Sequence, residues 1–520
     1  MFKKLFDGYT KPEIISLLFF SVLSVSIHIF SLAMVNYGIF RDELYYLACA
    51  SKPAAGYVDH PPFSIWILTI WTFVFGDSII SIRILPIIAS CITLLITSKI
   101  TKKLNGSPEA LVLSLAAVTF MPIFWAMTGF YSMNFWEYIF IPLLFLKSYD
   151  LLEHKTLSDF VVFGLIAGLA FLNKVGITWF IAGFLLALLI TGQFKILLSK
   201  KFILLALIFT LLSSIYFIWN IYYGFPHLEF MGNALKIKYA GVSRIELITG
   251  SFVLNNIFNA VLWVPVLFLT IFRYKTHQNR KIIFTGVIFL TVLAILLING
   301  NAKPEYLSPY FIPLFSAGAV LFSKLKETLK NYVVNAYYIF ASLFFVVVLP
   351  IVLPVLPQYA LITYGQTLKL FPPNAEGHQI DELPQFYADM HGWEEMAQNI
   401  SDVYKNLSTE EKSKTIFFGT NYGQASAIMY YSKKYELPKV VAGHNNFFLW
   451  GFTEFTPEIV IQLSSDRYVS DLNDNFNSVV KAGFHTAKYA MPYENNLNIY
   501  ILRQPKEPIL KLFEKTKSFI

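Results

Sequence analysis

Long uninterrupted blocks of apolar residues are the feature that most limits what this chain can fold into. A helix needs about 20 apolar residues to cross a hydrocarbon layer of about 30 Å. About eleven blocks approach that length, and they lie near 14–35, 84–100, 108–124, 133–147, 158–173, 175–191, 202–219, 251–272, 282–298, 305–322 and 332–353. The pattern predicts a mainly α, polytopic membrane protein of about 11 transmembrane helices.

Composition argues against a soluble protein and against a nucleic-acid partner. Hydrophobic residues make up 56% of the chain and charged residues 14%, whereas soluble domains contain about 25% charged residues. The net charge of +8 is spread through short loops between the apolar blocks. It therefore indicates membrane orientation by the positive-inside rule rather than a basic binding patch. Two cysteines, Cys49 and Cys91, predict neither a disulfide framework nor a cysteine metal site.

The apolar block 63–75 is too short to span comfortably, and the distribution of lysine and arginine decides its place. If this block does not cross, the basic loops near 99–103, 195–201, 273–281 and 324–330 share the side of the basic N-terminus. If it crossed, each of them would change sides and contradict that N-terminus. We therefore expect 63–75 to lie along the outer interface. The N-terminus is then cytoplasmic, and the segment after the last block lies outside.

Residues 355–520, here called the tail, have ordinary polarity and a different rhythm. Strand-like runs fall at 415–419, 439–443, 458–462, 484–490 and 498–502, and a helical pattern at 422–433 follows the first of them. Such alternation predicts an α/β domain with a partly parallel sheet. The chain is thus predicted to contain a transmembrane domain, residues 1–354, and a soluble extracytoplasmic α/β domain, residues 355–520.

Residues 36–83, here called the first loop, concentrate charged side chains between two apolar elements. Arg41, Asp42 and Glu43 follow the first predicted span, and Asp59 and His60 precede a di-proline turn. One interpretation is that the acidic residues cap short interfacial helices. The other is catalytic: carboxylates deprotonate an acceptor hydroxyl or amine, while Arg41 and His60 offset the charge of a lipid phosphate. The residues alone leave both interpretations open.

The first loop resembles that of the GT-C glycosyltransferases, in the family 39 or protein-mannosyltransferase-like group. That group includes the bacterial aminoarabinose transferases of lipid A. The resemblance rests on RDE at 41–43 with YY at 45–46, GYVDHPPF at 56–63, FGDS at 75–78 and NAKPEY at 301–306. In the tail, LPQFYAD at 383–389, NYGQA at 421–425 and GHNN at 443–446 are similar to its bacterial members. The similarity extends over most of the chain.

The resemblance implies that Asp42 is the principal catalytic carboxylate, supported by Glu43 and Asp59. The side chains expected to bind substrate are Arg41, Tyr45, His60, Arg83, Lys303 and Glu305. For Arg83 and Lys303, a lysine or arginine that snorkels to the interface is the alternative. Aminoarabinose transferases have Glu-Lys-Pro-Pro where this chain has DHPP at 59–62. His60 therefore takes the place of a phosphate-binding lysine or binds a divalent metal, the one cofactor that the resemblance leaves open.

Three other features have two interpretations each. Residues 220–250 form either a mobile lid or a plain connector. Asn421–Gly423 and His444–Asn446 follow predicted strands, where they either recognise a sugar or other polar acceptor or make ordinary turns. His28 lies inside the first predicted span, where a packed polar contact is expected rather than a proton relay.

Together these features predict an integral-membrane glycosyltransferase. It would move a hexose- or pentose-type sugar from a polyprenyl-phosphate donor to a lipid, glycan or protein acceptor on the outer face of the membrane. A transporter or flippase of lipid-linked sugars is the alternative, but transporters show midplane charges and internal repeats. Here the ionisable residues lie in predicted outer loops. Frequent Lys, Asn, Ile and Phe suggest a bacterial inner membrane.

Overall fold

A computed structural model of the chain describes residues 6–34, 37–237, 241–273, 279–325, 327–371, 374–375, 378–452 and 457–520. The chain divides into two compact units. The first comprises Met1–Val35, Arg83–Trp219 and Tyr239–Leu356, and the second comprises Asn36–Ile82, Asn220–Lys238 and Pro357–Ile520. This division does not follow the predicted boundary at residue 354, because nearly all of the first loop groups with the tail.

Helices build the first unit, and two of them, Ile79–Lys103 and Lys200–Tyr222, extend into segments of the second. The others are Lys11–Met34, Pro108–Thr119, Pro122–Thr128, Met133–Glu153, Leu157–Asn173, Ile177–Ile190, Arg244–Leu254, Ala260–Phe272, Arg280–Asn299, Phe311–Phe322 and Glu327–Val352. Short 3-10 turns lie at Phe194–Ile196, Ile257–Asn259, Pro304–Tyr306 and Ser308–Tyr310. Each predicted apolar block contains one of these helices.

Helix length decides how many of the blocks qualify as spans. Among the described residues, 5 helices are long and apolar enough to cross a membrane, or up to 7 if each of two bent pairs counts as one span. The chain is therefore a multi-pass membrane protein, while the count of eleven is not confirmed. One bent pair, Pro108–Thr119 and Pro122–Thr128, turns by 62°. Pro122 lacks the N–H that would continue the first helix, so a new helix begins there.

His28, inside the first predicted span, is held by its neighbours. His28 is 2% exposed, its Nδ1 lies 2.8 Å from the carbonyl oxygen of Ser24 and its Nε2 lies 3.1 Å from the hydroxyl of Thr128. The ring stacks on Trp125 with centroids 4.9 Å apart. His28 is thus a packed polar contact, as predicted.

The second unit contains a five-stranded mixed sheet from the tail. Its strands are β1 Thr415–Gly419, β2 Lys439–Ala442, β3 Ile459–Ser464, β4 Phe476–His485 and β5 Leu497–Pro505. They are ordered β2-β1-β3-β5-β4, with β1 parallel to β2 and to β3, and β5 antiparallel to β3 and to β4. A two-stranded ribbon pairs Asn374–Ala375 with His378–Gln379. The predicted partly parallel sheet is confirmed.

Helices of the second unit come from all three of its chain segments. They are Arg41–Ser51, Phe63–Phe75, Pro226–Lys236, Gln358–Leu368, Gln385–Ala388, Trp393–Lys405, Thr409–Ser413, Tyr422–Tyr431, Asn446–Trp450, Val469–Asn475 and Ile509–Glu514, with 3-10 turns at Asp466–Tyr468 and Pro492–Glu494. Phe63–Phe75 is the short helix expected from the apolar block 63–75, and its position along an interface remains a prediction.

One predicted strand is wrong. The sequence pattern placed a strand at 484–490, whereas the strand is Phe476–His485. This strand lies at the edge of the sheet, and most of its residues are exposed or half-buried on both faces. An edge strand of this kind shows no clean alternation of apolar and polar residues, so the pattern did not reveal it.

Candidate active site

The helix Arg41–Ser51 positions the charged cluster of the first loop. Its first turn contains Asp42 and Glu43, whose negative charge suits a helix N-terminus. The Glu43 carboxylate accepts a hydrogen bond of 3.0 Å from the backbone N–H of Phe40, and the residue is fully buried. Glu43 therefore caps the helix, as one of the two interpretations had it. Its support of the catalytic carboxylate remains a prediction.

Asp42 is placed differently from its neighbour. Its carboxylate is 39% exposed and accepts a hydrogen bond of 2.8 Å from the phenol of Tyr422. The nearest guanidinium nitrogen, Nε of Arg41, lies 3.9 Å away, which is too far for a hydrogen bond. Asp42 is thus oriented by one donor and keeps a face open.

Arg41 gives its closer contacts to the tail instead. Its Nη2 lies 3.3 Å from the carboxylate of Asp389, and its Nη1 donates a hydrogen bond of 2.5 Å to the hydroxyl of Tyr493. The backbone N–H of Arg41 also donates to the carbonyl oxygen of Asp389 at 3.0 Å. Gly423 permits this packing, because a Cβ there would lie 2.9 Å from Cγ of Arg41.

Tyr422 starts the helix that follows β1. Burial raises the pKa of its phenol well above the ordinary value, the charge of Arg41 opposes this, and the carboxylate of Asp42 adds to it. The phenol therefore stays protonated and acts as a donor. The ring of Tyr422 also lies under the guanidinium of Arg41, with 5.3 Å from Cζ to its centroid.

The start of the same helix binds a buried carboxylate. Asn421 and Gln424 donate hydrogen bonds of 2.6 and 2.8 Å to Glu494, which is 5% exposed. Burial raises the pKa of Glu494 to about 7, against the opposing effect of those two hydrogen bonds and of Arg41. Glu494 is therefore a group near the charged cluster that titrates around neutral pH.

Asp59 and His60 are held inside the first loop. Asp59 accepts a hydrogen bond of 3.0 Å from the phenol of Tyr45, and Nε2 of His60 lies 3.9 Å from the same carboxylate. His60 is 1% exposed and stacks on Tyr46. A direct contact of His60 with a lipid phosphate would require the surrounding rings to open, so its role in binding remains a prediction.

The strand ends of the tail hold the first loop. Asn446, which follows β2, accepts a hydrogen bond of 2.7 Å from the backbone N–H of Val58. Tyr422, which follows β1, binds Asp42, and a ring nitrogen of His444 lies 3.3 Å from the backbone nitrogen of Tyr422. The edge at which open α/β sheets commonly bind ligands is thus used here for the chain's own loop.

Residues 220–238 join the same unit and are more than a plain connector. His227 Nδ1 lies 3.0 Å from the carbonyl oxygen of Val58, and Glu229 forms an ion pair of 2.7 Å with Lys517. Asn233 donates to the carbonyl oxygen of Phe519 at 2.8 Å. Lys238 lies outside the described residues. That this segment moves as a lid remains a prediction.

Three of the predicted binding residues lie in the first unit. Arg83 is 5% exposed in the helix Ile79–Lys103. Lys303 and Glu305 are each about one quarter exposed, with 3.9 Å between the ammonium and the carboxylate. The binding role of Arg83 and Lys303 remains a prediction.

A second carboxylate–cation pair of the first unit was not predicted. Lys174 forms an ion pair of 2.6 Å with Glu137 and donates a hydrogen bond of 2.9 Å to Asn134. Its ammonium lies 4.8 Å from the ring centroid of Tyr306. Glu137 and Glu305 interact electrostatically. This pair therefore brings Lys174 close to residues of the NAKPEY segment.

A metal site at His60 finds little support in the donor set. Among the described residues, the one group of three or more metal-type ligands that is compact enough is Asp150, Glu153 and His154. Its carboxylates are already paired with Lys103 and Lys147. Within the described residues, Asp59 and His60 form no such group with a third side chain. A metal bound by His60 therefore remains untested.

Sequence reasoning missed the residues that hold Arg41 and Asp42. Asp389, Tyr422 and Tyr493 are more than 340 positions away along the chain, so no spacing rule connects them to the first loop. Two of them lie in segments singled out by the resemblance, LPQFYAD and NYGQA. Their place in these segments was the signal available in the sequence, but it did not show which residues of the first loop they contact.

Comparisons with known proteins identify a family pattern in part of the chain. Residues 59–219 match the family model described as dolichyl-phosphate-mannose-protein mannosyltransferase. The match covers less than half of the chain and begins after Asp42. No curated protein sequence matches the chain.

Solved structures extend the likeness to most of the chain. The crystal structure of ArnT from Cupriavidus metallidurans bound to undecaprenyl phosphate is 12% identical, covers 93% of this chain and 97% of its own, and gives a TM-score of 0.59. The apo form of the same protein has the same identity and coverage and a TM-score of 0.60. The resemblance predicted from the first loop is confirmed in fold and in family pattern: the chain has the GT-C fold of ArnT, and part of it carries the sequence pattern of the protein mannosyltransferases.

Proposed function

We propose that this protein is an integral-membrane glycosyltransferase that takes its sugar from a polyprenyl-phosphate donor on the outer face of the membrane. The observation that carries the proposal is the placement of Asp42: a partly exposed carboxylate in the first loop, oriented by Tyr422 at 2.8 Å and not neutralised by a close cation. Such a group is suited to accept a proton from an attacking nucleophile.

The fold supports the donor class. The similar ArnT structure contains undecaprenyl phosphate, and the family matched by residues 59–219 is described by a dolichyl-phosphate sugar donor. A polyprenyl-phosphate sugar keeps its tail in the bilayer, so an enzyme that uses it must act at the membrane surface. Neither comparison favours a flippase.

The proposed reaction needs a base and stabilisation of the leaving phosphate. An acceptor hydroxyl or amine attacks the anomeric carbon of the sugar, forming the new glycosidic bond, while the bond from that carbon to the phosphate oxygen breaks. The polyprenyl phosphate leaves with the bonding electrons, and Asp42 takes the proton of the acceptor. The residues proposed to bind substrate are Arg41, Tyr45, His60, Arg83, Lys303 and Glu305, and those proposed to support Asp42 are Glu43 and Asp59.

Tyr422 serves Asp42 in this scheme without touching substrate, and Arg41 is proposed to bind the donor phosphate. Tyr422 fixes the direction of the carboxylate through its hydrogen bond, and Arg41 is itself fixed by Asp389. A base held in one orientation loses less entropy on the way to the transition state. We also propose that the sugar is a hexose or a pentose and that the acceptor is a lipid, a glycan or a protein. The proposed location is the bacterial inner membrane, with the tail on its outer side.

The deciding experiment replaces Asp42 by Asn in a strain that lacks the native protein. We expect transfer to fall at least about 100-fold, because the base is lost. The polyprenyl-phosphate sugar should accumulate, and the modified acceptor should disappear, both measured by mass spectrometry. The mass added to the acceptor in cells with the native protein separates hexose from pentose.

Asp77→Asn is the matched control, since Asp77 is another acidic residue of the first loop, paired at the surface with Lys433. It should transfer sugar normally. Normal transfer by Asp42→Asn, in protein that is inserted and folded, would overturn the catalytic assignment. An unchanged lipid-linked sugar pool in cells lacking the protein would overturn the function.

A further inference from the structure

The first unit contains a second polar site, independent of the proposed activity, at the ends of four of its helical segments. A cavity of about 350 Å³ is lined by Leu104, Asn105, Leu152, Glu153, Asn279, Arg280, Lys281, Ile282 and Lys324. These residues lie just after Ile79–Lys103, at the end of Met133–Glu153, at the start of Arg280–Asn299 and just after Phe311–Phe322. The positive-inside pattern predicts that this end is cytoplasmic.

The lining is cationic once its internal pairs are counted. Glu153 is the one carboxylate of the lining, and it is shared by two lysines: Lys103 at 2.6 Å, and Lys281. Lys103 also pairs with Asp150, which is paired in turn with Lys147. Arg280 and Lys324 add two more positive charges to the wall. By formal charge the lining holds Arg280, Lys281 and Lys324 against the carboxylate of Glu153, so it is net positive.

Helix capping accounts for Lys324, which follows the C-terminus of Phe311–Phe322, but not for Arg280 and Lys281. A cation is favourable at a helix C-terminus and unfavourable at an N-terminus. Arg280 and Lys281 stand in the first turn of Arg280–Asn299, so both oppose the helix dipole. Lys281 is compensated by Glu153 and by the carbonyl oxygen of Lys103, 2.8 Å away. The topology rule explains the sign of these residues but not why they surround a cavity.

The remaining lining residues indicate which kind of ligand the cavity binds. Asn105 and Asn279 offer amide N–H donors, and Leu104, Leu152 and Ile282 offer apolar contacts. Arginine, lysine and amide donors recognise phosphate oxygens, and helix ends of a membrane protein lie at the level of the lipid headgroups. We infer that this cavity binds the phosphate of an anionic glycerophospholipid, with the glycerol and first methylene groups against the apolar side chains.

The test uses the purified full chain in a neutral detergent. Phosphatidylglycerol is added in rising amounts, phosphatidylcholine serves as the zwitterionic comparison, and the unfolding temperature is measured. We expect a saturable rise with phosphatidylglycerol alone, as a ligand that binds the folded state must give. The double variant Arg280→Gln/Lys324→Gln should weaken the apparent affinity at least about tenfold, because two cationic contacts are lost.

Lys195→Gln/Lys200→Gln is the matched control, because it removes two lysines from another predicted cytoplasmic loop that does not line the cavity. Its response should equal that of the native protein. Lys324→Gln alone removes an exposed side chain and tests the site if the double variant does not fold. The proposal is overturned if cavity and control variants respond alike.

Free phosphate and sn-glycerol 3-phosphate distinguish the two sources of the same chemistry. No shift with either at millimolar concentration supports a lipid. An equal shift with the free anions, lost in the cavity variants, assigns the cavity to a soluble phosphate compound instead and overturns the lipid assignment.

Discussion

Two carboxylates, Asp42 in the second unit and Glu137 in the first, are placed near a cation and end in different states. Lys174 gives its closest contact to Glu137, at 2.6 Å, and both side chains are less than one fifth exposed. The carboxylate nearest to Arg41 is a different one, that of Asp389 at 3.3 Å, and the guanidinium stands 3.9 Å from Asp42. The cation is committed elsewhere, so Asp42 stays open. The difference is that Arg41 has a second acidic partner, Asp389. Asp42 is therefore a candidate base, whereas Glu137 and Lys174 form a structural ion pair.

The sharpest test of this comparison measures stability. Glu137→Gln leaves the partly buried ammonium of Lys174 without its carboxylate, and we expect a loss of about 2–3 kcal/mol in the free energy of unfolding. Asp42→Asn should change it by less than about 1 kcal/mol, because the carboxylate is partly exposed and has no close cation. Thermal unfolding of both variants in the same detergent checks this. Equal losses of unfolding free energy in the two variants would contradict the difference drawn between Asp42 and Glu137.

The next test concerns the orientation of Asp42. Tyr422→Phe removes the hydrogen bond but keeps the ring, and we expect kcat to fall about tenfold with KM unchanged, equal to about 1.4 kcal/mol. Tyr431→Phe, on the same helix, is the control and should be silent. Combined with Asp42→Asn, the Tyr422 change should cost nothing more. A change in KM instead of kcat would make Tyr422 a binding residue.

The smallest expected effect is on pH dependence. Burial raises the pKa of Glu494 to about 7, whereas Gln424, Asn421 and Arg41 favour its charged form. A carboxyl with a raised folded pKa contributes stability that is full below its unfolded pKa, about 4.3, and is lost as pH rises through about 7.

Between pH 5 and 7 we therefore expect the native protein to lose on the order of 1 kcal/mol through this group. Glu494→Gln should flatten that part of the profile, as followed by thermal unfolding at each pH. Glu436→Gln, which changes an exposed carboxyl paired with Lys412, is the control and should leave the slope in place. An unaltered slope in Glu494→Gln would show that another group titrates there.

The parts of the fold that the sequence predicts are those set by local composition. Each apolar block contains a helix, and β1 is found at the predicted residues, because runs of apolar residues and of β-branched or aromatic residues act over a few neighbours. The block count exceeded the number of long helices, because Leu157–Asn173 and Ile177–Ile190 are shorter than a full crossing requires.

The candidate site was only half predictable for the same reason. Arg41, Asp42 and Glu43 stood out as charges between apolar elements, but their separate states depend on Phe40, Asp389 and Tyr422. Only Phe40 is a sequence neighbour, and its hydrogen bond to Glu43 supports the capping interpretation, one of the two that the sequence left open. Hydrogen bonds across 380 positions follow from tertiary packing, which neither periodicity nor spacing reveals.

The binding of the first loop by the strand ends of the tail has a consequence for engineering. In a chimera whose tail came from a relative, an exchange of the size of a typical domain, different side chains would contact Val58 and Arg41. Grafts that exchange loop and tail as one piece should retain function more often than grafts of either alone. The unit to exchange is therefore discontinuous in sequence.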